Sequence, residues 1–231
     1  MLHLLKSRLL NEIGEEITAC RITDRCKGIV ENKPEEGIYP RCFFPEVYDK
    51  ESAHFDAIVI GLNPGTASHL EMAFTRYIRE REGCVKYRHM KTVLEPIVKS
   101  HPYYTRVRAF LRKYLQTRDL NILWTELVKC QSKRDDGKKL PLELSAKKQC
   151  FDKFLKREIE IFAGNQKPLL IFLGKEVLSF VKKYRKRRFI GFKYLSLYHP
   201  TGGFGAPFFR HFKKRDIEGD LERIDENTFI E

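Results

Sequence analysis

Three short segments of the chain bring together residue types that direct water, protons and developing charge. They are Gly61-Leu62-Asn63-Pro64-Gly65, the stretch around Glu126, and His199-Pro200-Thr201-Gly202-Gly203. An asparagine amide both donates and accepts, so Asn63 can orient a water molecule. A neutral imidazole at His199 can donate to an oxygen that gains negative charge during a reaction, the kind of contact that favours a transition state over a ground state. An ionised Glu126 only accepts, whereas a protonated one also donates. Burial pushes a carboxyl toward the protonated form. Each residue has a plainer reading: Asn63 as a turn-former before proline, His199 as a satisfied histidine at a strand end, Glu126 as half of an ordinary ion pair. The pair His101-Pro102 occurs as well, but only His199-Pro200 follows an apolar run.

Six cysteines offer a second kind of chemistry: Cys20, Cys26, Cys42, Cys84, Cys130 and Cys150. The opening segment MLHLLKSRLLNEIGEE reads as an amphipathic helix and not as a secretory signal. A cytoplasmic protein with reduced thiols is therefore expected, and a disulfide framework is not. Four clustered thiolates would hold zinc or an iron–sulfur cluster. No CxxC spacing is present, and scattered buried cysteines are the alternative.

The charge points to a partner. Lys and Arg number 44 and Asp and Glu 31, a net charge of +13. Residues 216–231 form an acidic tail of net −6, which leaves +19 on the rest of the chain. A polyanion, nucleic acid first, is the expected partner; a merely charged surface is the alternative. No apolar run approaches the ~20 residues of a membrane helix, so no membrane partner is expected. A share of 42% apolar residues with 17 Phe and 10 Tyr is enough to build a core and excludes wholesale disorder.

These residues need a scaffold. Residues 2–19 have helical apolar spacing and lead into an irregular, cysteine-containing stretch to about residue 55. Strand-length apolar runs occupy 56–61, 121–126, 168–174 and 192–198. Helical spacing occupies 66–82, 90–99, 103–116, 143–163 and 175–184, and a further helix is expected over 206–215. Residues 131–142 read as a polar loop with an Asp136-Gly137 turn. Short strands alternating with helices imply one three-layer α/β/α domain over 1–231, with a central, mostly parallel four-stranded sheet. Ligands of such sheets bind at the carboxyl ends of the strands. All three segments singled out above lie at such ends.

In that order and placement, the three segments resemble the uracil-DNA glycosylase superfamily. Gly61 to Gly65 is similar to its first motif, in the Asn form of the mismatch-specific branch. His199 to Gly203 is similar to its second. Glu126-Leu-Val-Lys-Cys130, Cys150 and the 168–174 strand resemble the iron–sulfur (family 4) branch. The resemblance covers roughly residues 15–210, leaving 78–118 as an unmatched helical insertion. It implies a monofunctional DNA glycosylase of base-excision repair, acting as a monomer on a base flipped into a pocket. Asn63 would orient the attacking water and His199 would donate to the leaving base. Gly61, Leu62, Pro64, Gly65, Phe74, Glu126, Pro200, Thr201 and Gly202 would line the base site. Glu126 stands where the uracil-specific branches carry Asn.

The resemblance also implies a structural [4Fe–4S] cluster on Cys20, Cys130, Cys150 and either Cys26 or Cys42, because the position of the family's second ligand is Thr23 here. The run Lys182, Lys183, Arg185, Lys186, Arg187 and Arg188 would grip phosphates, with a solvated helix end as the alternative. Phe204 would wedge into the space of the flipped base. A non-catalytic nucleic-acid-binding protein on the same fold is the alternative function.

Overall fold

The four apolar runs expected as strands form the inner four strands of the central sheet. The structure, a computed structural model, describes residues 2–47, 54–163, 167–201, 207–212, 221 and 226–230. In chain order the helices are α1 (Leu2–Thr18), α2 (His69–Glu82), α3 (Tyr87–Ser100), α4 (Pro102–Tyr114), α5 (Leu144–Cys150), α6 (Lys156–Ala163) and α7 (Lys175–Phe180). The strands are β1 (Val30–Glu31), β2 (Phe44–Glu46), β3 (Ala57–Gly61), β4 (Ile122–Glu126), β5 (Gln131–Ser132), β6 (Arg134–Asp135), β7 (Lys138–Lys139), β8 (Leu169–Leu173), β9 (Lys193–Leu197) and β10 (Asn227–Thr228). The fold is α/β with a mostly parallel central sheet, compatible with a three-layer α/β/α sandwich.

The sheet has six strands in the order β10-β9-β8-β3-β4-β2, not the four expected. The two additions are edge strands of two and three residues, too short to show an alternation in sequence. β3 pairs with β8, and β8 with β9, in parallel. β3 and β8 are buried at every position, which is why they read as unbroken apolar runs.

Chain contacts fall into two compact units. The first comprises residues 1–44, 63–94 and 125–161; the second comprises 45–62, 95–124 and 162–231. In the second unit α7 follows β8 through Gly174, whose φ of 90° is a conformation glycine adopts at no steric cost. Phe172 meets Phe189, Tyr194 and Phe229, and the Tyr194 and Phe229 rings stack at 4.3 Å. In the same unit Arg108 makes a two-pronged ion pair with Glu46, which also accepts from the Trp124 indole at 2.8 Å.

The helix expected over 206–215 is instead a single 3₁₀ turn, Phe208–His211, where it is described. Phe212 turns extended after it, and its buried ring meets Phe110 edge-on. Of that expected helix, residues 206 and 213–215 lie outside the described residues, as does most of the acidic tail.

In the first unit α1 packs through a close approach. Gly14 faces the ring of Tyr87, where a Cβ would come within 2.3 Å of ring carbon. The Gly14 carbonyl accepts from Thr18 Oγ1 at 2.8 Å and from the Cys42 thiol at 3.2 Å. α5 continues through a π turn at Phe151–Leu155 into α6, so the expected 143–163 helix is one helical stretch with a bulge.

Candidate functional site

The loop after β3 is fastened to the segment after β4. The Asn63 amide donates from Nδ2 to Ser132 Oγ at 3.0 Å and to the Cys130 carbonyl at 3.5 Å. The Ala67 N–H donates to Gln131 Oε1 at 2.7 Å, and Gln131 Nε2 donates to Glu31 at 2.6 Å. With its NH2 engaged, Asn63 has Oδ1 as the atom that can accept from a water. Gly61, Leu62, Pro64 and Gly65 shape this turn, and Ser68 caps α2 by accepting from the Glu71 N–H. Phe74 lies half-buried on α2. Gln131 and Ser132 were missed by the sequence reading, because nothing in a two-residue strand marks its partner.

Glu126 ends β4. Its Oε2 is buried and has no hydrogen-bond partner among the described residues. Burial pushes this carboxyl up to about 7, while the charges of Lys129, Arg41 and Lys139 pull it down and Glu158 pushes it up a little. The ordinary ion pair belongs instead to its neighbours. Lys129 Nζ lies 2.7 Å from Glu158 Oε1 and donates to Thr125 Oγ1 at 2.6 Å, with both charged side chains buried. The Lys129 carbonyl accepts from the Arg41 N–H at 2.8 Å, and Arg41 clamps Glu71 with two guanidinium nitrogens.

Four cysteines line one pocket of the first unit. Cys20, Cys26, Cys130 and Cys150 share it with Ile22, Val128 and Phe154. Burial pushes the Cys20 and Cys130 thiols up and takes Cys150 up to about 11; proximity to the other cysteines adds to each. Lys153 Nζ lies 3.7 Å from Cys20 Sγ. Thr23 Oγ1 sits 3.7 Å from Cys26 Sγ and donates to Gln149 at 2.9 Å. Cys42 is elsewhere, on Thr18 and Gly14, with burial pushing it up to about 12. Of the two alternatives left open by the sequence, Cys26 is the one at the pocket. Cys84 is exposed. Among the described residues no three His, Cys, Asp or Glu side chains stand at metal-binding spacing. The donor set and apolar lining suit a thiolate-held group, while the sulfur positions do not form a closed ligand shell.

His199 belongs to the second unit, at the end of β9. Its Nδ1 accepts from the Thr201 N–H at 3.3 Å and lies 3.2 Å from Thr201 Oγ1. Where Nδ1 accepts, the ring donates from Nε2. The ring is exposed and lies 5.3 Å from that of Tyr103. Arg106 Nη1 donates to the Pro200 carbonyl at 2.6 Å, and the Tyr198 N–H donates to His211 Nε2 at 3.1 Å. Burial takes His211 down to about 4, so it accepts as a neutral ring. Tyr103 and Arg106 come from α4, inside the insertion to which the sequence assigned no role. Gly202 and Phe204 lie outside the described residues. No family model and no curated protein matches the chain.

The basic run follows α7. Lys182 lies over the Tyr194 ring at 5.4 Å, Lys183 over Tyr184 at 5.3 Å, and Arg185 near the Phe180 ring at 5.9 Å. Lys186, Arg187 and Arg188 are exposed. No helix among the described residues is long and apolar enough to cross a membrane.

Proposed function

We propose that the protein is a monofunctional DNA glycosylase that hydrolyses the bond between a deaminated base and deoxyribose. The observation that supports it most is the hydrogen bond from Thr201 to His199 Nδ1, since it leaves Nε2–H as the ring's donor. Such a donor strengthens as the pyrimidine O2 becomes anionic. Asn63 Oδ1 accepts from the attacking water. Glu126, with its buried oxygen lacking a partner, reads the base edge. In its neutral form it offers one donor and one acceptor, the complement of a lactam edge such as that of uracil or hypoxanthine.

Cys20, Cys26, Cys130 and Cys150 would hold a [4Fe–4S] cluster as a clamp between the N-terminal segment and the loop after β4. Such a group contributes folding free energy and no step of the reaction. Visible absorption of the purified protein tests it: Cys26→Ser should bleach the colour and Cys42→Ser should keep it. A colourless wild-type protein free of iron removes the cluster.

The decisive experiment is a single-turnover excision assay over oligonucleotides bearing uracil, hypoxanthine, xanthine and mismatches. Release of a free base, leaving an abasic site, is expected. Tight binding to every oligonucleotide with no base released would replace the enzyme by a nucleic-acid-binding protein.

A further inference from the structure

Residues 131–142, expected as a polar loop, contain β5 and then a small hairpin of β6 and β7. Asp136 and Gly137 have φ of 45° and 74°, the two positive values that a two-residue hairpin turn of the primed type requires. The turn fixes the register: Arg134 faces Lys139, and Asp135 faces Lys138. Side chains directly opposite each other project from the same face, with Cβ atoms about 5 Å apart.

Charge is therefore sorted between the two faces. Asp135 sits opposite Lys138 and balances it. Arg134 sits opposite Lys139, two cations with no acid between them. Residues 133–139 are all exposed, and among the described residues neither Arg134 nor Lys139 has an ion-pair partner. Like charges placed directly opposite each other weaken a strand pair. With three cations and one acid in the four ladder positions, one face has to carry two cations, and the register puts them on the Arg134–Lys139 face.

Its position is also specific. Arg134 Nη2 donates to Thr66 Oγ1 at 3.1 Å, in the loop that begins at Asn63. Ser132, two residues before Arg134, is the acceptor for Asn63. Lys139 is near enough to Glu126 for its charge to act on that carboxyl. The cationic face thus adjoins the loop and strand end that carry two of the candidate site residues.

We infer that the Arg134–Lys139 face of the β6–β7 hairpin grips a backbone phosphate of a DNA strand. A phosphodiester between the two cations removes their repulsion and gains two charge-assisted hydrogen bonds. The inference rests on the glycosylase reading only for which strand is held, the one that carries the target base. It differs from the Lys182–Arg188 run, three of whose cations already rest on aromatic rings.

Fluorescence anisotropy on an undamaged duplex, with salt varied, tests it. Replacing both cations, Arg134→Gln with Lys139→Gln, should flatten the plot of log affinity against log salt by about one unit, the loss of one phosphate contact. Lys139→Glu places a carboxylate opposite Arg134. It should hold or raise the melting temperature and still weaken DNA binding by tenfold or more at low salt, which separates lost binding from lost folding. An unchanged slope in the double variant, or full affinity in Lys139→Glu, overturns the inference. The excision assay is read separately. Flattened slopes without any excision would discard the glycosylase and keep the hairpin; excision with unchanged slopes would discard the hairpin alone.

Discussion

Around Glu126 the charged groups are buried and committed to one another. Lys129 and Glu158 are withdrawn from solvent almost completely, Arg41 clamps Glu71, and one Glu126 oxygen is left without a donor. Around His199 the imidazole is exposed, and the turn is held through backbone atoms: His211 takes the Tyr198 N–H, Arg106 holds the Pro200 carbonyl, and His199 itself takes the Thr201 N–H. The two strand ends also prefer opposite proton states. Burial raises the Glu126 carboxyl to about 7 and lowers His211 to about 4, so each end favours its neutral form. The first end ties its chemistry to the stability of the fold. The second keeps its chemistry separable from it.

The sharpest test of that contrast is Lys129→Met. It leaves Glu158 buried without its cation, which costs about 3–5 kcal/mol. Denaturant unfolding should show that loss, and Lys129→Met combined with Glu158→Leu should recover most of it, because apolar side chains replace a buried pair at little cost. A loss below about 1 kcal/mol would mean that the pair is hydrated, and the contrast with the exposed end would disappear.

At the other end His199→Ala should leave the unfolding midpoint almost unchanged. Single-turnover excision should fall by about 10²–10³, the effect of losing one oxyanion-type donor. A variant that loses stability and retains its rate would reverse the assignment.

The smallest effects are in the pH dependence of stability. Glu126 holds its proton more tightly in the folded chain, to about 7 against 4.5, so its contribution falls as pH rises through that window. Glu126→Gln should flatten this fall and gain stability above pH 7. His211 binds its proton more weakly in the folded chain, about 4 against 6.5, so stability falls as pH drops through that window. His211→Gln keeps an acceptor for the Tyr198 N–H and should flatten the acid side only. Unfolding midpoints measured from acid to mildly alkaline pH would show both slopes, and equal slopes in all three proteins would dissolve the comparison.

The inner strands were readable in the sequence because parallel strands buried on both faces leave uninterrupted apolar runs, as in Ala57–Gly61 and Leu169–Leu173. Asn63, Glu126 and His199 stood out for the same reason, each closing such a run. Their supports did not stand out. Ser132 lies 69 residues from Asn63, and Arg106 lies 94 residues from Pro200. Tyr103 reads as one more residue of an amphipathic helix. The Asp136-Gly137 turn was visible, but two-residue strands carry no periodicity, so the facing of Arg134 and Lys139 needed the register. Cys26 and Cys42 were equivalent by spacing, and only the packing of Cys42 against Gly14 and Thr18 separates them.

The contact between Gly14 and Tyr87 bears on any attempt to engineer this chain. Scored by helix propensity, position 14 is a defect: glycine inside a helix costs about 1 kcal/mol relative to alanine. Scored by shape, it is a socket, since the methyl group of alanine would enter the space of the tyrosine ring. A stabilisation library that optimised α1 as an isolated helix would select alanine first. It would thereby push the N-terminal helix off the surface where its Gly14 carbonyl and Thr18 hydroxyl meet Cys42. Redesign of this region has to treat positions 14 and 87 as one choice, in which a larger residue on the helix demands a smaller ring partner.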